Sequence, residues 1–270
     1  MRKEVFMSII FFDIDGTIMD ANGGIPASAI LAIRQLRSRG HLCIINTGRP
    51  YIDLDPSLFD IGFDGLICTC GQHIIFHDKE LLCDGFSPAA SAFLMELGRK
   101  CRMDMYYESK TGVWLERYDT QRELAPELLL SLSRFVRRGI SVTSPQGIPG
   151  FHFDKLCISY TQDSLLSEFL AGAAPYCELI DRGGGMYELP KKGYSKGTGC
   201  RFMANALHIP LEDCFAIGDS TNDVSMLECV GHPLVMGTAP RSVQQIAEYV
   251  TDALAADGLY HAMRHTGLIP

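Results

Sequence analysis

No stretch of this 270-residue chain approaches the ~18 consecutive apolar residues of a membrane-spanning helix, so a spanning protein is excluded. Basic residues are in the minority: Lys and Arg number 24 against 32 Asp and Glu, a formal charge of -8. That balance repels nucleic acid and anionic membranes, and neither is expected as a partner. The ten cysteines include no C-x-x-C pair and no Cys/His spacing suited to zinc. Scattered through apolar segments, they read as small buried hydrophobes in a reducing cytoplasm, not as a disulfide framework. A leader is excluded too. The apolar stretch after Met1-Arg2-Lys3-Glu4 runs into Asp13-Ile14-Asp15 with no small-residue cleavage site. Two phosphate motifs are missing: no G-x-x-x-x-G-K-[ST] occurs, and Gly197-Thr198-Gly199 lacks the third glycine of a dinucleotide fingerprint.

What is present is ordinary globular material, 47% hydrophobic and 21% charged. A chain near this length buries roughly 75% of its unfolded surface, so its core needs neither disulfide nor structural metal. Ser8 to Phe12 reads as a buried strand. Residues 26–39 form a helix with Pro at its head and Gly40 as its stop, and His41 to Ile45 and Asp64 to Cys68 are further strands. The same strand–helix alternation returns late in the chain. A helix over 196–207 is followed by a strand over Cys214 to Ile217 and a short helix over Asn222 to Cys229. A strand over Leu234 to Met236, a helix from Pro240 to Glu248 and Tyr249-Val250 complete the series. This is the grammar of a parallel sheet.

Between these halves, over residues 84–188, the pattern changes to longer alternating segments: Asp104 to Glu108, Gly112 to Tyr118 and Phe151 to Tyr160. Helices are expected near 122–137 and 163–173. The expected architecture is α/β: a Rossmann-like parallel-sheet core of residues 1–83 and 189–270, with an inserted α+β domain at 84–188. Arg182-Gly183-Gly184-Gly185, with Asp84-Gly85 at the entry, marks a hinge or a surface turn.

Three of the expected strands end in polar clusters: Asp13-Ile14-Asp15-Gly16-Thr17, Asn46-Thr47-Gly48-Arg49, and Gly218-Asp219-Ser220-Thr221-Asn222-Asp223. Ligands in open α/β sheets bind beyond the carboxyl ends of the strands, so the three clusters converge on one site. Asp13, Asp15, Asp219 and Asp223 would repel one another there unless a divalent cation neutralised them, and oxygen-only ligands select Mg²⁺ over zinc or copper. A calcium loop is excluded: an EF-hand places Gly sixth and Glu twelfth, where this chain has Ile18 and Gly24.

Phe12-Asp13-Ile14-Asp15-Gly16-Thr17, Thr47-Gly48-Arg49, Lys196-Gly197 and Gly218 to Asp223 resemble, in order and spacing, the four motifs of the haloacid dehalogenase superfamily. The insert between the second and third resembles its Cof-type sugar-phosphatase branch. The resemblance runs from about Ile9 to Asp257-Gly258. It implies that Asp13 attacks phosphorus and forms an aspartyl-phosphate, and that Asp15 protonates the leaving alcohol and later deprotonates water. It further implies Mg²⁺ held by Asp13, the main-chain carbonyl of Asp15 and Asp219, with Asp223 orienting a metal-bound water. Thr47, with Gly48, and Lys196 would hold the phosphoryl oxygens, and Asn222 is a further phosphate contact.

The function this implies is Mg²⁺-dependent hydrolysis of small phosphorylated metabolites, sugar phosphates foremost. A phosphomutase or transferase using the same nucleophile is the alternative. A pure phosphometabolite binder or a dehalogenase would have no use for Asp15. Two positions depart from the family pattern: Cys70-Gly71-Gln72, where Asn-Gly is common, and Thr238-Ala239 after Met236-Gly237. Cys70 thereby replaces a usual substrate-side contact. Within the insert, Arg117, Trp114, His152 and Lys155 are candidates to face a ligand, with a surface or core role the stronger reading for each.

Overall fold

Four apolar residues in succession, Ile9–Phe12, form strand β1, buried along its whole length. The computed structural model describes residues 7–121 and 123–270. Residues 1–6, the start of the stretch weighed as a leader, and Arg122, at the expected start of a helix, lie outside the described residues. From β1 the chain passes through helix α1 (Ala27–Ser38), β2 (Leu42–Asn46), α2 (Pro56–Ile61), β3 (Gly65–Cys68), β4 (His73–Phe76) and β5 (Lys79–Cys83). Residues up to Gly48 and Pro56–Leu82 join Ser195–Pro270 in one compact unit; Arg49–Asp55 and Cys83–Tyr194 make the other.

The second unit contains α3 (Pro88–Lys100), β6 (Asp104–Ser109), β7 (Gly112–Glu116), α4 (Pro126–Arg137), β8 (Val142–Thr143), β9 (Lys155–Ser159), α5 (Leu166–Ala173), β10 (Ile180–Gly183) and β11 (Met186–Pro190). Its strands form a mixed sheet in the order β10-β11-β9-β6-β7-β8. Phe86, Leu94, Met105, Tyr107, Phe153 and Leu189 share one core on it. Helix α3 has no counterpart among the expected helices, although Ser87 caps it by accepting the Ala90 N–H and Pro88 opens its first turn.

Arg182-Gly183-Gly184-Gly185 lies inside the second unit as the end of β10 and its tight turn into β11, with all three glycines at positive φ, so of the two readings the turn holds and the hinge does not. The outgoing and returning ends of the unit meet instead at Asp84, whose carboxylate accepts from Lys191 Nζ (2.5 Å) and the Tyr194 hydroxyl (2.6 Å). Lys155 is a core residue, its Nζ 2.5 Å from Glu188 Oε1 and 2.7 Å from Glu108 Oε2. Trp114 packs edge-on against Phe151 in the same unit, and His152 is exposed.

The chain then returns to the first unit with α6 (Lys196–Leu207), β12 (Phe215–Gly218), α7 (Val224–Leu227), β13 (His232–Val235), α8 (Arg241–Gln244), β14 (Tyr249–Val250) and α9 (Gly258–His265). The completed sheet runs β14-β13-β12-β1-β2-β3-β4-β5. Pairing is parallel from β14 through β3, and β4 runs antiparallel to β3. Central strands of such a sheet are covered on both faces, which is why they read as unbroken apolar runs. Register then aligns their ends: Phe12 pairs with Ile45 on one side and Ile217 on the other. The polar residues that follow each strand therefore emerge side by side. No helix among the described residues is long and apolar enough to cross a membrane.

Candidate active site

Asp13 follows β1 directly, and its N–H still bonds to the Ile217 carbonyl (3.0 Å), so its backbone is fixed by the neighbouring strand. Its carboxylate is nearly sealed from solvent. Lys196 comes from the first turn of α6, and that turn is strongly specified. Ser195 accepts the Thr198 N–H, and the Thr198 hydroxyl accepts the Ser195 N–H, a reciprocal cap that starts the helix one residue before the lysine. Lys196 Nζ lies 2.5 Å from Asp13 Oδ1 and 2.5 Å from Asp223 Oδ1. The ammonium is 1% exposed, so it stays charged only because two carboxylates face it.

Asp223 is equally enclosed, and its second oxygen accepts the N–H groups of Asp219 and Ser220 (2.9 Å each). One carboxylate thus folds the loop after β12 and holds the lysine. Gly218 is required for this: a Cβ there would lie 2.5 Å from the Asp223 carboxyl carbon. Gly16 meets the same limit on the other side. Its φ is +80°, and a Cβ would fall 2.2 Å from Asp219 Oδ2. The loops carrying Asp13 and Asp219 are therefore pressed together backbone to side chain.

Carboxylate oxygens of Asp13, Asp219 and Asp223 lie within 4.8 Å of one another. Three carboxylates against one ammonium leave an excess of negative charge. Burial, and after it Asp223, push the Asp13 carboxyl well above the usual carboxylate range; Lys196 opposes this and Asp15 and Asp219 add to it. Burial disfavours charge on Lys196, but Asp13 and Asp223 outweigh it and hold the ammonium above its ordinary range. An oxygen-only, over-anionic cluster fits a hard divalent cation, which would relieve the repulsion. The Asp15 side chain is exposed and stands outside this cluster.

Thr47 and Gly48 are buried just past β2. The Thr47 N–H donates to the Ile67 carbonyl (2.8 Å), and its own carbonyl accepts from the Cys70 N–H (3.1 Å). Cys70 lies in a turn where it and Thr69 both have positive φ, a conformation Asn tolerates better than Cys. Asn222 is half-buried, its side-chain oxygen accepting from the Ser220 hydroxyl (2.7 Å). Asn46, a member of the second polar cluster with no expected role, acts as a tie. Its buried Nδ2 donates to the Lys196 carbonyl (3.0 Å) and the Cys200 sulfur (3.1 Å), tying the end of β2 to the start of α6. The Ser225 hydroxyl, accepting the Gly197 N–H, steadies the same turn.

The fold is an α/β sheet that gathers a buried, lysine-braced cluster of carboxylates at its strand ends. Residues 10–263 match the model of the haloacid dehalogenase-like hydrolases. Phosphatase YwpJ of Bacillus subtilis is 26% identical over 295 residues, spanning 96% of this chain and 99% of its own. The HMP-PP phosphatase of Yersinia enterocolitica is 25% identical over 265 residues, 94% of this chain and 93% of its own. Among solved structures, the subclass IIB sugar phosphatase BT4131 superposes with a TM-score of 0.83 at 22% identity, covering 97% of this chain and all of that one. BT1666 of Bacteroides thetaiotaomicron gives 0.84 at 23% identity, over 99% of this chain and 98% of its own.

The chain belongs to the haloacid dehalogenase-like hydrolases. It is a phosphatase of that family, a hydrolase of phosphoric monoesters acting on phosphorylated small molecules.

Proposed function

We propose that the protein hydrolyses sugar phosphates and related small metabolites through an aspartyl-phosphate on Asp13, with Mg²⁺ as its cation, in the cytoplasm. The observation that carries this reading is the placement of Lys196 Nζ between Asp13 and Asp223, beside Asp219. Asp13 presents a fixed carboxylate at the strand end, as in-line attack on phosphorus requires. Asp15, two residues on and exposed to solvent, is suited to give the leaving alcohol its proton and to take one from water afterwards. Lys196, with Thr47, Gly48 and Asn222, meets the phosphoryl oxygens as their charge grows.

Asp13, Asp219 and the Asp15 main-chain carbonyl would hold the ion. Asp223, its oxygens engaged by Lys196 and the loop amides, supports this set from behind. When bound, Mg²⁺ supplies charge neutralisation at the phosphoryl oxygens. All these residues lie in the first compact unit. They account for a phosphoryl group and nothing else, so we assign the choice among leaving alcohols to the inserted unit. A screen of phosphorylated metabolites with and without Mg²⁺ tests the reading. Metal-dependent release of inorganic phosphate from sugar phosphates supports it; transfer of the group to a second hydroxyl with no free phosphate would replace it with a mutase.

A further inference from the structure

The hairpin of β4 and β5, at the edge of the eight-stranded sheet, carries a second group of metal-binding side chains. His73 is the first residue of β4, Glu80 the second of β5 and Cys83 its last. One donor atom from each of the three lies within 4.8 Å of the other two. His73 Nε2 and Glu80 Oε2 are 3.0 Å apart. His73 is buried and Glu80 exposed, and Cys83 is the one exposed cysteine among the described residues. An imidazole and a carboxylate paired at the surface need no metal. A thiol brought to the same pair is different, because sulfur is a weak hydrogen-bonding group and a strong ligand for soft cations.

The distances suit an ion. Tetrahedral ligands about 2.0–2.3 Å from zinc stand about 3.4–3.6 Å from one another. The separations here, 3.0 Å for one nitrogen–oxygen pair and none above 4.8 Å, bracket that range. The backbone is already set: β4 pairs with β3, placing His73 opposite Cys68. Only His77-Asp78 links β4 to β5, both at positive φ, as in a tight two-residue hairpin turn. His73 and Cys83 are ten positions apart, an interval that matches no zinc motif in linear order; the turn brings them together.

We propose that His73, Glu80 and Cys83 form a Zn²⁺ site that staples the open end of this hairpin, with water as the fourth ligand. Nitrogen, oxygen and sulfur donors select zinc, whereas the Asp13 cluster offers oxygen alone, so the two sites sort different ions. The thiol gives up its proton on binding, and thiolate and carboxylate then balance the two charges of the ion. Strand β5 is the last of its sheet and largely exposed. The turn closes one end of the hairpin and the ion closes the other, fixing an edge that has no further strand beside it. The site owes nothing to the phosphatase reading, and the failure of either leaves the other standing.

The test loads the full chain, freed of metal by chelator, with one equivalent of Co²⁺. Cobalt takes the place of zinc and reports thiolate ligation as a near-ultraviolet charge-transfer band. The expected result is that band, with the strong visible absorption of a tetrahedral site, and both bleach when Zn²⁺ displaces the cobalt. Cys83→Ser removes the charge-transfer band. Glu80→Gln weakens Co²⁺ binding by at least the about tenfold that loss of an outer-shell partner costs. Both positions are exposed, so neither variant threatens the fold. Asp219→Asn, in the other cluster, leaves the band in place. Added Zn²⁺ slows hydrogen exchange at the amides of 73–83 in the wild type and not in Cys83→Ser. No band, or a band that survives Cys83→Ser and so belongs to another cysteine, overturns the site. Cobalt that Zn²⁺ does not displace overturns the choice of ion, and unchanged hydrogen exchange overturns the staple.

Discussion

Lys196 Nζ and Asp13 Oδ1 stand 2.5 Å apart although 183 residues separate them in sequence. The contact holds the ammonium against a buried carboxyl at the end of β1, the place the proposed chemistry gives to the phosphoryl oxygens. Lys196→Met leaves Asp13, Asp219 and Asp223 without a fixed cation. We expect kcat to fall by about 10²-fold or more. The melting temperature should also drop in chelator, since removing one partner of a buried pair costs about 3–5 kcal/mol. A divalent cation should recover stability but not rate; recovery of both would reduce Lys196 to a structural counter-ion.

The two motif aspartates should separate kinetically. Asp13→Asn should abolish turnover and any trappable phosphoenzyme together. Asp15→Asn should slow esters with poor leaving groups most, and an activated aryl phosphate least, because that group departs without a proton. Near-normal turnover in Asp13→Asn would refute covalent catalysis at that residue.

Chelator should remove activity and Mg²⁺ restore it, with Ca²⁺ a poor substitute because its looser shell misplaces Asp13 for attack. The same cluster sets a pH dependence in the metal-free protein. Asp13 is held protonated above the unfolded carboxylate range, so within that window the native state binds more protons than the unfolded chain. Stability without metal should therefore decline as pH rises from about 4, the unfolded carboxylate value. Stabilisation by Mg²⁺ should grow over the same interval. Melting curves across pH, with chelator and with Mg²⁺, give both trends.

In the inserted unit, Lys155 serves two buried carboxylates, Glu108 and Glu188. Lys155→Met should destabilise by about 3–5 kcal/mol through the charges it abandons. Burial raises the Glu108 carboxyl despite Lys155, so Glu108 contributes stability at pH below the unfolded carboxylate range and loses it as pH climbs through the folded value. Glu108→Gln, leaving one lysine against one carboxylate, should thus gain on the wild type as pH rises from 5 to 8. Urea titrations at several pH values would show the crossover or its absence.

A core lacking the insert should keep some hydrolysis of a small aryl phosphate and lose its ranking of sugar phosphates. The excision should run from Asp84 to Tyr194, because Leu189 packs in the core of the second unit and β11 extends to Pro190. If the folded truncation ranks its substrates as the full chain does, the core itself reads the leaving group.

Much of this was legible because parallel strands buried on both faces announce themselves. Ile9–Phe12 and Phe215–Gly218 are apolar runs that stop at charged residues, and the helix expected over 196–207 ahead of Pro210 is found at Lys196–Leu207. What escaped was set by partners distant in sequence. Asn46 has no motif value until α6 is brought beside it, and the core role favoured for Lys155 acquires its partners only when Glu108 and Glu188 enclose it. Helix α3 escaped for a local reason: Ala, Ser and Gly dilute its apolar stripe, leaving Leu94 and Met95 as its large buried side chains. The expected strand from Phe151 to Tyr160 shortens to Lys155–Ser159, since Phe151 and Phe153 pack through aromatic contacts ahead of it.

The position of β1 has a consequence for synthesis on the ribosome. One of its edges pairs with β2, made moments later, but the other waits for β12, and so for Phe215 to emerge. Through most of translation the most apolar strand of the sheet has an open side, while the inserted unit, whose strands pair among themselves, can already close. The nascent chain therefore carries a finished second unit beside a half-sheet with a live edge. Strand β12 is what seals that edge, and it brings Asp219 and Asp223 with it. The open side of β1 closes at the same step that delivers Asp219 and Asp223, and the new edge passes to β12 until β13 follows.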